Sequence, residues 1–576
     1  MKHATTIHPV SDRNLSFYYL ALLFVIAAAL MLKQLVIPGY YSIITDDTVT
    51  YTRWAWQFNK ALREGITYPR WMPYEFWDYG SPTFILYSPL SFYLVAFFNL
   101  FTGSILGAMN IAKFFSLFLA GTGMFFLIKE FFPRKTAFLA AAFYIMFPYT
   151  IFQVYCFGSF AAIVSWLWYS PIFLFTNLYF KSRHYKHLIY AGICYGGLIL
   201  TYLIHAYMLS FVLTAFIIIM SVTTKSRGNI LALPVIFAIG VLVSAAYLLP
   251  LIFELKYLNL NAFITEGNGF SFSDFFILPK LTSNLSPTNF WASYYNVFAY
   301  QILSLSIIIL WLSIKTIKHN ANRALLSENM AVLNKIFLST AVWSMFLLFG
   351  ISNRLWEIIP FFKFIQFPVR WLNITVFSVS VLFASFVYIA KKTSTSIRTH
   401  YNFVFLVFLT LIFVDYYYIN NAPVFTEDEL LHTKSIRWAQ EHLPRGVEMA
   451  RLGQVDAPIE KTVILEGEGK AEIADWKTAE RVINITAKQP IIIRIRTFNF
   501  PGWTAYIDGK LSQIASEAGS KAMLVKVPKG THRLELIFSD TPVRYYGKFI
   551  SLTSLIVFSA VLLVNILFFR QSSSIE

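Results

Sequence analysis

The chain has 576 residues, of which 57% are hydrophobic and only 13% charged, proportions that exclude an ordinary soluble protein. A net charge of +17 raises the question of nucleic acid, and its placement answers it. The short basic loops 1–14, 129–135, 181–187, 223–228, 315–335, 391–398 and 570–576 together hold 18 Lys/Arg against four acids. That is the positive-inside pattern of a polytopic membrane protein, and it leaves no basic domain to bind nucleic acid.

The first apolar run, Leu15 to Ile37, follows Lys2 and Arg13 and ends at Pro38-Gly39 with no small-x-small cleavage pattern. It reads as a retained anchor, with Lys33 snorkelling at its outer end. Further apolar segments run at 84–101, 108–128, 136–152, 157–180, 188–204, 206–221, 229–249, 298–317, 336–350, 372–390, 402–420 and 547–569. Runs of this size can cross the roughly 30 Å hydrocarbon core as helices, and 12 or 13 crossings are expected. Segment 84–101 is the exception to a consistent topology: with every basic loop in the cytoplasm it would begin and end on the outer side. The same rule puts the loops 38–83, 250–297 and 351–371 on the non-cytoplasmic face together with 421–545. Cys156 and Cys194 lie in apolar surroundings and imply no disulfide framework.

Three units follow: a transmembrane domain over 1–420, a β-rich domain over 421–545, and a last helix with a short tail over 546–576. In the second, VINITAKQPIIIRIRTF (482–498) alternates with period two on both sides of Pro490. NFPGWTAYIDGK supplies turns at Pro501-Gly502 and Asp508-Gly509, and AMLVKVPKGTHRLELIF repeats strand–turn–strand about Lys529-Gly530. About 120 residues suffice for a small antiparallel sandwich with its own core.

The loop after the first helix carries the chemistry. Between Thr45 and Tyr93 stand Asp46-Asp47, then Arg53, Arg63 and Arg70, then Glu64, Glu75 and Asp78, among Trp54, Trp56, Trp71 and Trp77. Adjacent carboxylates at a helix end can bind a divalent cation, act as a base, or simply be solvated. The arginines can grip phosphate in a bidentate fashion that lysine cannot copy. The aromatics suit stacking on sugar faces, and suit a membrane-interface belt equally well. Other outer loops add Glu254 and Lys256, then Arg354, Lys363 and Arg370. His205, at the break in LTYLIHAYML, is either a packed turn residue or a group facing the site.

These residues carry a resemblance. Asp46-Asp47 after the first helix resembles the acidic motif in the first outer loop of GT-C glycosyltransferases, which use lipid-phosphate-linked sugars. ALREG-ITYPRW, YGSPTFILYSPLSFYL, LIHA (203–206) and FIQFPVRWL (364–372) are similar to motifs of the bacterial GT-C-like "6-pyruvoyl-tetrahydropterin synthase-related" membrane family. NFPGWTAYIDGK resembles the strand pair near the C-terminus of YfhO-like membrane glycosyltransferases. The chain departs from the family in two places: Thr50-Tyr51 follow the acidic pair where a second histidine is common, and FGSFAA stands near 158 where a glutamate is common.

The resemblance implies a mainly α, GT-C-like membrane helical bundle with a small non-cytoplasmic β-sandwich. It also implies transfer of a sugar from a polyprenyl-phosphate donor to a glycan, lipid or protein acceptor, in a bacterial inner membrane. Asp46 and Asp47 are then the catalytic base and the ligands of a divalent cation (Mg or Mn), with Asp46 narrowly favoured as the base. Arg53, Arg70, Trp71, Tyr87, His205, Gln366 and Arg370 are the expected donor- and phosphate-binding set. Two other classes stand beside this one. A transporter or flippase of lipid-linked glycans is disfavoured because no apolar segment between 108 and 390 carries an acid in mid-helix. A non-catalytic scaffold is favoured only by the family acids this chain lacks.

Overall fold

The computed structural model describes residues 12–37, 39–41, 45–223, 227–260, 326–393, 397–432, 440–452 and 460–572, with isolated positions between 303 and 314. Most of the expected loop 250–297 and segment 298–317 lies outside the described residues.

Apolar side chains recur on every face of the long helices, as burial among other helices and in lipid requires. Eight helices among the described residues are long and apolar enough to cross a membrane, or nine with one bent pair counted. That is fewer than the 12 or 13 expected, for physical reasons that differ by segment. The 84–101 run is broken into a single turn, Thr83–Leu86, and a 13-residue helix, Leu90–Thr102, of about 20 Å, which is too short to span. Its inconsistent topology is thereby resolved. The 188–204 run likewise gives a 16-residue helix, Lys186–Thr201. Asn229–Val243 and Ala245–Tyr257 bend by 83° at Ser244. Glu328–Phe346 carries Glu328 and Lys335 in its first half. The chain is a multi-pass membrane protein.

The first outer loop is not a loop at its start. Thr45–Arg63 is an amphipathic helix, so Asp46 and Asp47 stand in its first turn. After it the chain closes on itself through the Met72↔Ser81 bridge. Within that loop Phe76, Trp77 and Asp78 all take positive φ (50°, 54° and 65°), at a cost of order 1–3 kcal/mol each that surrounding contacts must offset. Gly80, at φ +81°, sits where a Cβ would come within 2.5 Å of the Trp71 indole, so only glycine fits.

The C-terminal region is a two-sheet sandwich. One sheet has the order β4 (Gly469–Trp476), β5 (Glu480–Ala487), β11 (Gly530–Phe538), β7 (Trp503–Ile507), β8 (Lys510–Ser512). The other runs β3 (Thr462–Glu466), β6 (Ile491–Phe498), β10 (Ala522–Val527), β9 (Ile514–Ser516). A short pair, β1 (Tyr40–Tyr41) with β2 (Val424–Phe425), ties the two ends of the bundle together. Every pairing is antiparallel. Alternation decides which side chains meet: Ile483, Ile485, Ile491, Ile493, Ile495, Val525, Leu534 and Leu536 fill the shared core. Asp508-Gly509, with φ of 51° and 78°, makes the tight β7–β8 hairpin that such a dipeptide favours. The turns at Pro490 and at Lys529-Gly530 do otherwise. Each joins strands of different sheets, β5 to β6 and β10 to β11, so they cross the sandwich instead of closing hairpins.

Candidate active site

The Thr45–Arg63 helix presents two faces, and they do different work. Asp47, Tyr51, Trp54 and Phe58 follow one another at helical spacing on the first. Tyr51 Oη and Tyr87 Oη share a hydrogen bond of 2.7 Å. Trp54 packs edge-on against Tyr87, centroids 5.0 Å apart. Tyr87 sits near Tyr202 at 6.5 Å. The segment SPLS places Tyr87: Ser88 Oγ donates to the Ile199 carbonyl at 2.9 Å, and Ser91 Oγ to that of Thr201 at 3.4 Å. Tyr202 itself is extended (φ −160°, ψ 99°) where the helix Lys186–Thr201 ends and Leu203–Thr223 begins.

His205 follows in the first turn of that next helix and is fully buried. Its Nδ1 shares a 2.6 Å hydrogen bond with Ser165 Oγ, and its ring lies edge-on to Tyr202 at 4.7 Å. Its Nε2 meets no hydrogen-bonding partner among the described residues. His205 is thus a packed, hydrogen-bonded residue at the start of its helix.

Arg370 reaches the same place from the far side of the bundle. It stands in a tight turn, Pro368–Trp371, just before the helix Leu372–Thr393. One guanidinium nitrogen donates to the Ile365 carbonyl at 2.5 Å and to Gln366 Oε1 at 3.3 Å. Gln366 holds a positive φ of 62° to offer that oxygen. The Asn373 amide grips the Arg370 carbonyl at 2.8 Å and the Tyr149 hydroxyl at 3.0 Å. Arg370 lies over Phe367 at 4.8 Å and over Tyr202 at 6.0 Å.

The titration behaviour of Tyr202 ties Asp47 and Arg370 together. Burial raises its hydroxyl above the usual range, Arg370 opposes that shift, and Asp47 adds to it. Both charges thus act on one side chain. Burial raises Tyr51 and Tyr87 as well, with Asp47 contributing to each. A fourth group enters that sequence reasoning missed. Glu441, in the turn Gln440–His442, has its carboxyl pushed up to about 7 by burial, with its own backbone N–H and Arg370 pulling down and Asp47 pushing up. No local signal in QEHLPRG distinguishes this glutamate from a solvated one.

The second face of the Thr45–Arg63 helix looks elsewhere. Arg53 donates to the Tyr74 carbonyl at 3.1 Å, and Gln57 to Glu75 Oε1 at 2.7 Å. Burial raises the Glu75 carboxyl, and Arg53 opposes the shift. Arg70 and Trp71 belong to the sandwich. Arg70 lies on the Tyr68 ring at 3.8 Å, donates to the Ala246 carbonyl at 2.9 Å and stands 3.7 Å from Asp540. Trp71 packs among Trp503 (5.5 Å), Phe538 (5.3 Å) and Phe500 (6.3 Å). Of the expected set, the structure brings Asp47, Tyr87, His205, Gln366 and Arg370 into one neighbourhood, and it does not bring Arg53, Arg70 or Trp71 there. The Asp46 side chain lies outside what is described.

A divalent cation needs several oxygen ligands, six or more for calcium or magnesium counting water. Among the described residues no group of three or more His, Cys, Asp or Glu side chains could hold a metal ion. The described donors around Asp47 are phenols, an arginine and a glutamate held near neutrality, a set poorly suited to a cation. No step below is routed through one.

A family model described as "6-pyruvoyl-tetrahydropterin synthase related domain; membrane protein" matches residues 84–421, more than half of the chain. The chain belongs to that family. The matched stretch contains the LIHA and QFPVR segments of the pocket, while Asp47 and the sandwich lie outside it. No protein of curated function matches the chain significantly. Among solved structures, it is similar to the oligosaccharyltransferase of Archaeoglobus fulgidus solved with zinc and sulfate (16% identity, TM-score 0.39), over 71% of this chain and 53% of that one. The apo form of that enzyme gives 14% identity and a TM-score of 0.40, over 73% and 56%. ArnT from Cupriavidus metallidurans, bound to undecaprenyl phosphate, gives 12% identity and a TM-score of 0.34, over 66% and 78%. The match spans about half the length of the archaeal enzyme. At these scores none of the likenesses assigns an activity or a substrate to this chain.

Proposed function

We propose that this family member is a membrane glycosyltransferase that moves a sugar from a polyprenyl-phosphate donor to a glycan, lipid or protein acceptor on the non-cytoplasmic face. The observation that carries the reading is the aromatic cluster around Tyr202, which Arg370 approaches at 6.0 Å from one segment and the Asp47 helix approaches from another through Tyr51 and Tyr87. Attack on an anomeric carbon needs a base for the acceptor hydroxyl and positive charge for the departing phosphate. Asp47 is the base, and Arg370 stabilises the phosphate, its guanidinium oriented by Ile365 and Gln366. Tyr87 and Tyr202 line the ground between them, and His205, fully buried, packs edge-on behind Tyr202.

The test is sugar transfer by the purified, detergent-solubilised chain from defined polyprenyl-phosphate sugars. Absence of transfer from every donor tried sinks the reading. The face is tested separately by single-cysteine labelling with an impermeant reagent. Positions 47, 363 and 509 should label together and position 392 from the opposite side.

One observation favours the transport alternative. Asp415, in the span Val404–Asn421, is 2% exposed, and neither carboxylate oxygen meets a hydrogen-bonding partner among the described residues. Buried ionisable residues of this kind often serve ion or proton pathways. Asp415→Asn that abolishes lipid-glycan flipping in vesicles, with sugar transfer undetectable in the wild type, would favour transport.

A further inference from the structure

The end of the bundle away from Asp47 holds a cleft that sugar transfer does not use. The first span, Leu15–Val36, is 22 residues long, or about 33 Å. Its start and the helix of Asp47 therefore lie at opposite faces of a hydrocarbon core roughly 30 Å thick. At that start three elements enclose an open cleft of about 430 Å³. The first helix supplies Leu15 and, one turn on, Tyr19, which packs between Phe125 (6.0 Å) and Phe138 (5.2 Å). The helix Ile105–Lys129 ends on it with Lys129, and Phe132-Pro133 lead across it into the helix Arg134–Ile145. Phe132 is anchored edge-on to Tyr388 at 5.6 Å.

The walls are apolar and aromatic, and the charges that line the cleft, Lys129, Arg134 and Lys135, are all positive. The neighbouring acid, Glu130, pairs with Lys181 at 2.8 Å and is not among the lining residues. Two of the three cations stand where helix electrostatics disfavour them. Arg134 and Lys135 open their helix, its first turn holds no acid, and its N-cap, Pro133, gives no side-chain hydrogen bond. A helix N-terminus carries partial positive charge and amides without intrahelical partners, and cations are favoured at the other end. Lys129, at the end of its own helix, follows that rule. Arg134 and Lys135 break it. An anion in the cleft reverses the sign, because side chains and helix end then act on it together. The positive-inside pattern explains basic loops in general, but it requires neither a cleft nor a cationic helix start.

The apolar walls select among anions. A free phosphate gains nothing from Leu15, Tyr19 and Phe132. A phospholipid uses both parts of the lining, and the span that carries Leu15 and Tyr19 leaves Phe17, Tyr18, Phe24 and Val25 exposed for acyl chains to cover. We propose that this cleft binds the headgroup of an anionic phospholipid, with Arg134 and Lys135 on the phosphate, Lys129 beside it, and the acyl chains along the first span. Basic pockets between membrane helices recognise headgroups in this way. The site does not depend on the sugar-transfer reading.

The test is lipid retention by the full-length, detergent-solubilised protein in native mass spectrometry. Dioleoylphosphatidylglycerol is the probe; dioleoylphosphatidylcholine and inorganic phosphate are the comparators. One phosphatidylglycerol should be retained in preference to phosphatidylcholine. R134Q/K135Q should weaken its binding by about 30-fold, or about 2 kcal/mol for two cations near a membrane surface. K391Q/K392Q removes the same charge at the same end of the bundle, one turn beyond Tyr388, and should change binding little. Leu15→Trp keeps every charge but fills the cleft, and should abolish the preference. Unchanged melting of the variants shows that the fold is intact; if R134Q/K135Q does not fold, Leu15→Trp decides alone. Equal losses in the two charge variants reduce the effect to diffuse attraction and overturn the site. Phosphatidylcholine held as tightly as phosphatidylglycerol, or a Leu15→Trp protein that keeps the preference, overturns it too. Inorganic phosphate that displaces the lipid at comparable concentration makes this a free-phosphate site and overturns the lipid assignment.

Discussion

Two regions contain the charges and aromatics of the first outer segment, and they are built on opposite principles. In the seam under the sandwich the buried Glu254–Arg544 pair is fully engaged, although Arg70 keeps two nitrogens, Nε and Nη1, without a hydrogen-bonding partner among the described residues. Arg544 donates twice to Glu254 Oε2, at 3.0 and 2.8 Å, and to the Pro501 and Ser539 carbonyls, while Thr541 donates to Glu254 Oε1 at 2.6 Å. Arg70 stacks on Tyr68 beside Asp540, and Glu64 accepts from the Thr478 amide at 2.8 Å. Around Tyr202 the polar groups are held in position by their neighbours, and one buried atom, the His205 Nε2, meets no hydrogen-bonding partner among the described residues. A saturated network fixes geometry, and an unsaturated one can meet a substrate.

The comparison can be broken from either side, and the largest effect is expected in the seam. Glu254→Ala removes the carboxylate paired with the Arg544 guanidinium, 0% exposed, and leaves that charge only the Pro501 and Ser539 carbonyls. Losing one partner of a buried pair costs about 3–5 kcal/mol, read as a fall in melting temperature of the full chain. Arg70→Lys should behave in the same direction. A raised KM for donor at unchanged melting temperature in that variant would move Arg70 into the site and erase the distinction.

Next in size is Asp47→Asn. Turnover should drop at least about 100-fold, equivalent to about 2.7 kcal/mol, with melting unchanged. Asp46→Asn should not be equivalent to it, because neighbours on a helix point about 100° apart. Equal losses in the two variants would show that the first turn acts as a unit.

Arg370→Lys should slow turnover by about tenfold, the scale of one lost charge-assisted hydrogen bond. The charge survives, but the fork that spans the Ile365 carbonyl, Gln366 and a phosphate does not. A full-rate lysine variant would reduce Arg370 to a diffuse positive charge.

The smallest effect lies at the rim of the sandwich. The hydrogen bond that His532 Nδ1 donates to Asp508 Oδ2, 2.7 Å, raises the histidine's pKa and lowers that of the aspartate. A raised histidine stabilises fully below its unfolded value of about 6.5 and loses the contribution as pH rises through its folded value. A lowered aspartate contributes above its unfolded value of about 3.9 and loses that as pH falls through its folded value. The pair therefore helps most between about pH 4 and about pH 6.5. His532→Gln should flatten the slight decline in melting temperature above that window, with no change in turnover.

What the sequence determined by itself is what depends on neighbours along the chain. Apolar runs specify spans because backbone polar groups must be satisfied within the segment. Period-two alternation specified the faces of β5, β6 and β11, and Asp508-Gly509 specified its hairpin because both residues tolerate positive φ. The acidic pair, QFPVR and LIHA were likewise legible as separate stretches, and the fold sets His205 and Arg370 against Tyr202, at 4.7 and 6.0 Å. Tertiary structure decided the rest. YPRW lies close to Asp47 in sequence, yet Arg70 and Trp71 turn away, since a sandwich that must bury Trp503, Phe538 and Phe500 takes up the indole. Whether Lys529-Gly530 closes a hairpin or crosses between sheets depends on which strands have free edges, which no local pattern encodes. Glu441 is invisible in sequence for the same reason: its carboxyl is raised by burial, with Arg370 opposing the shift and Asp47 adding to it, and those surroundings exist only once the chain has folded.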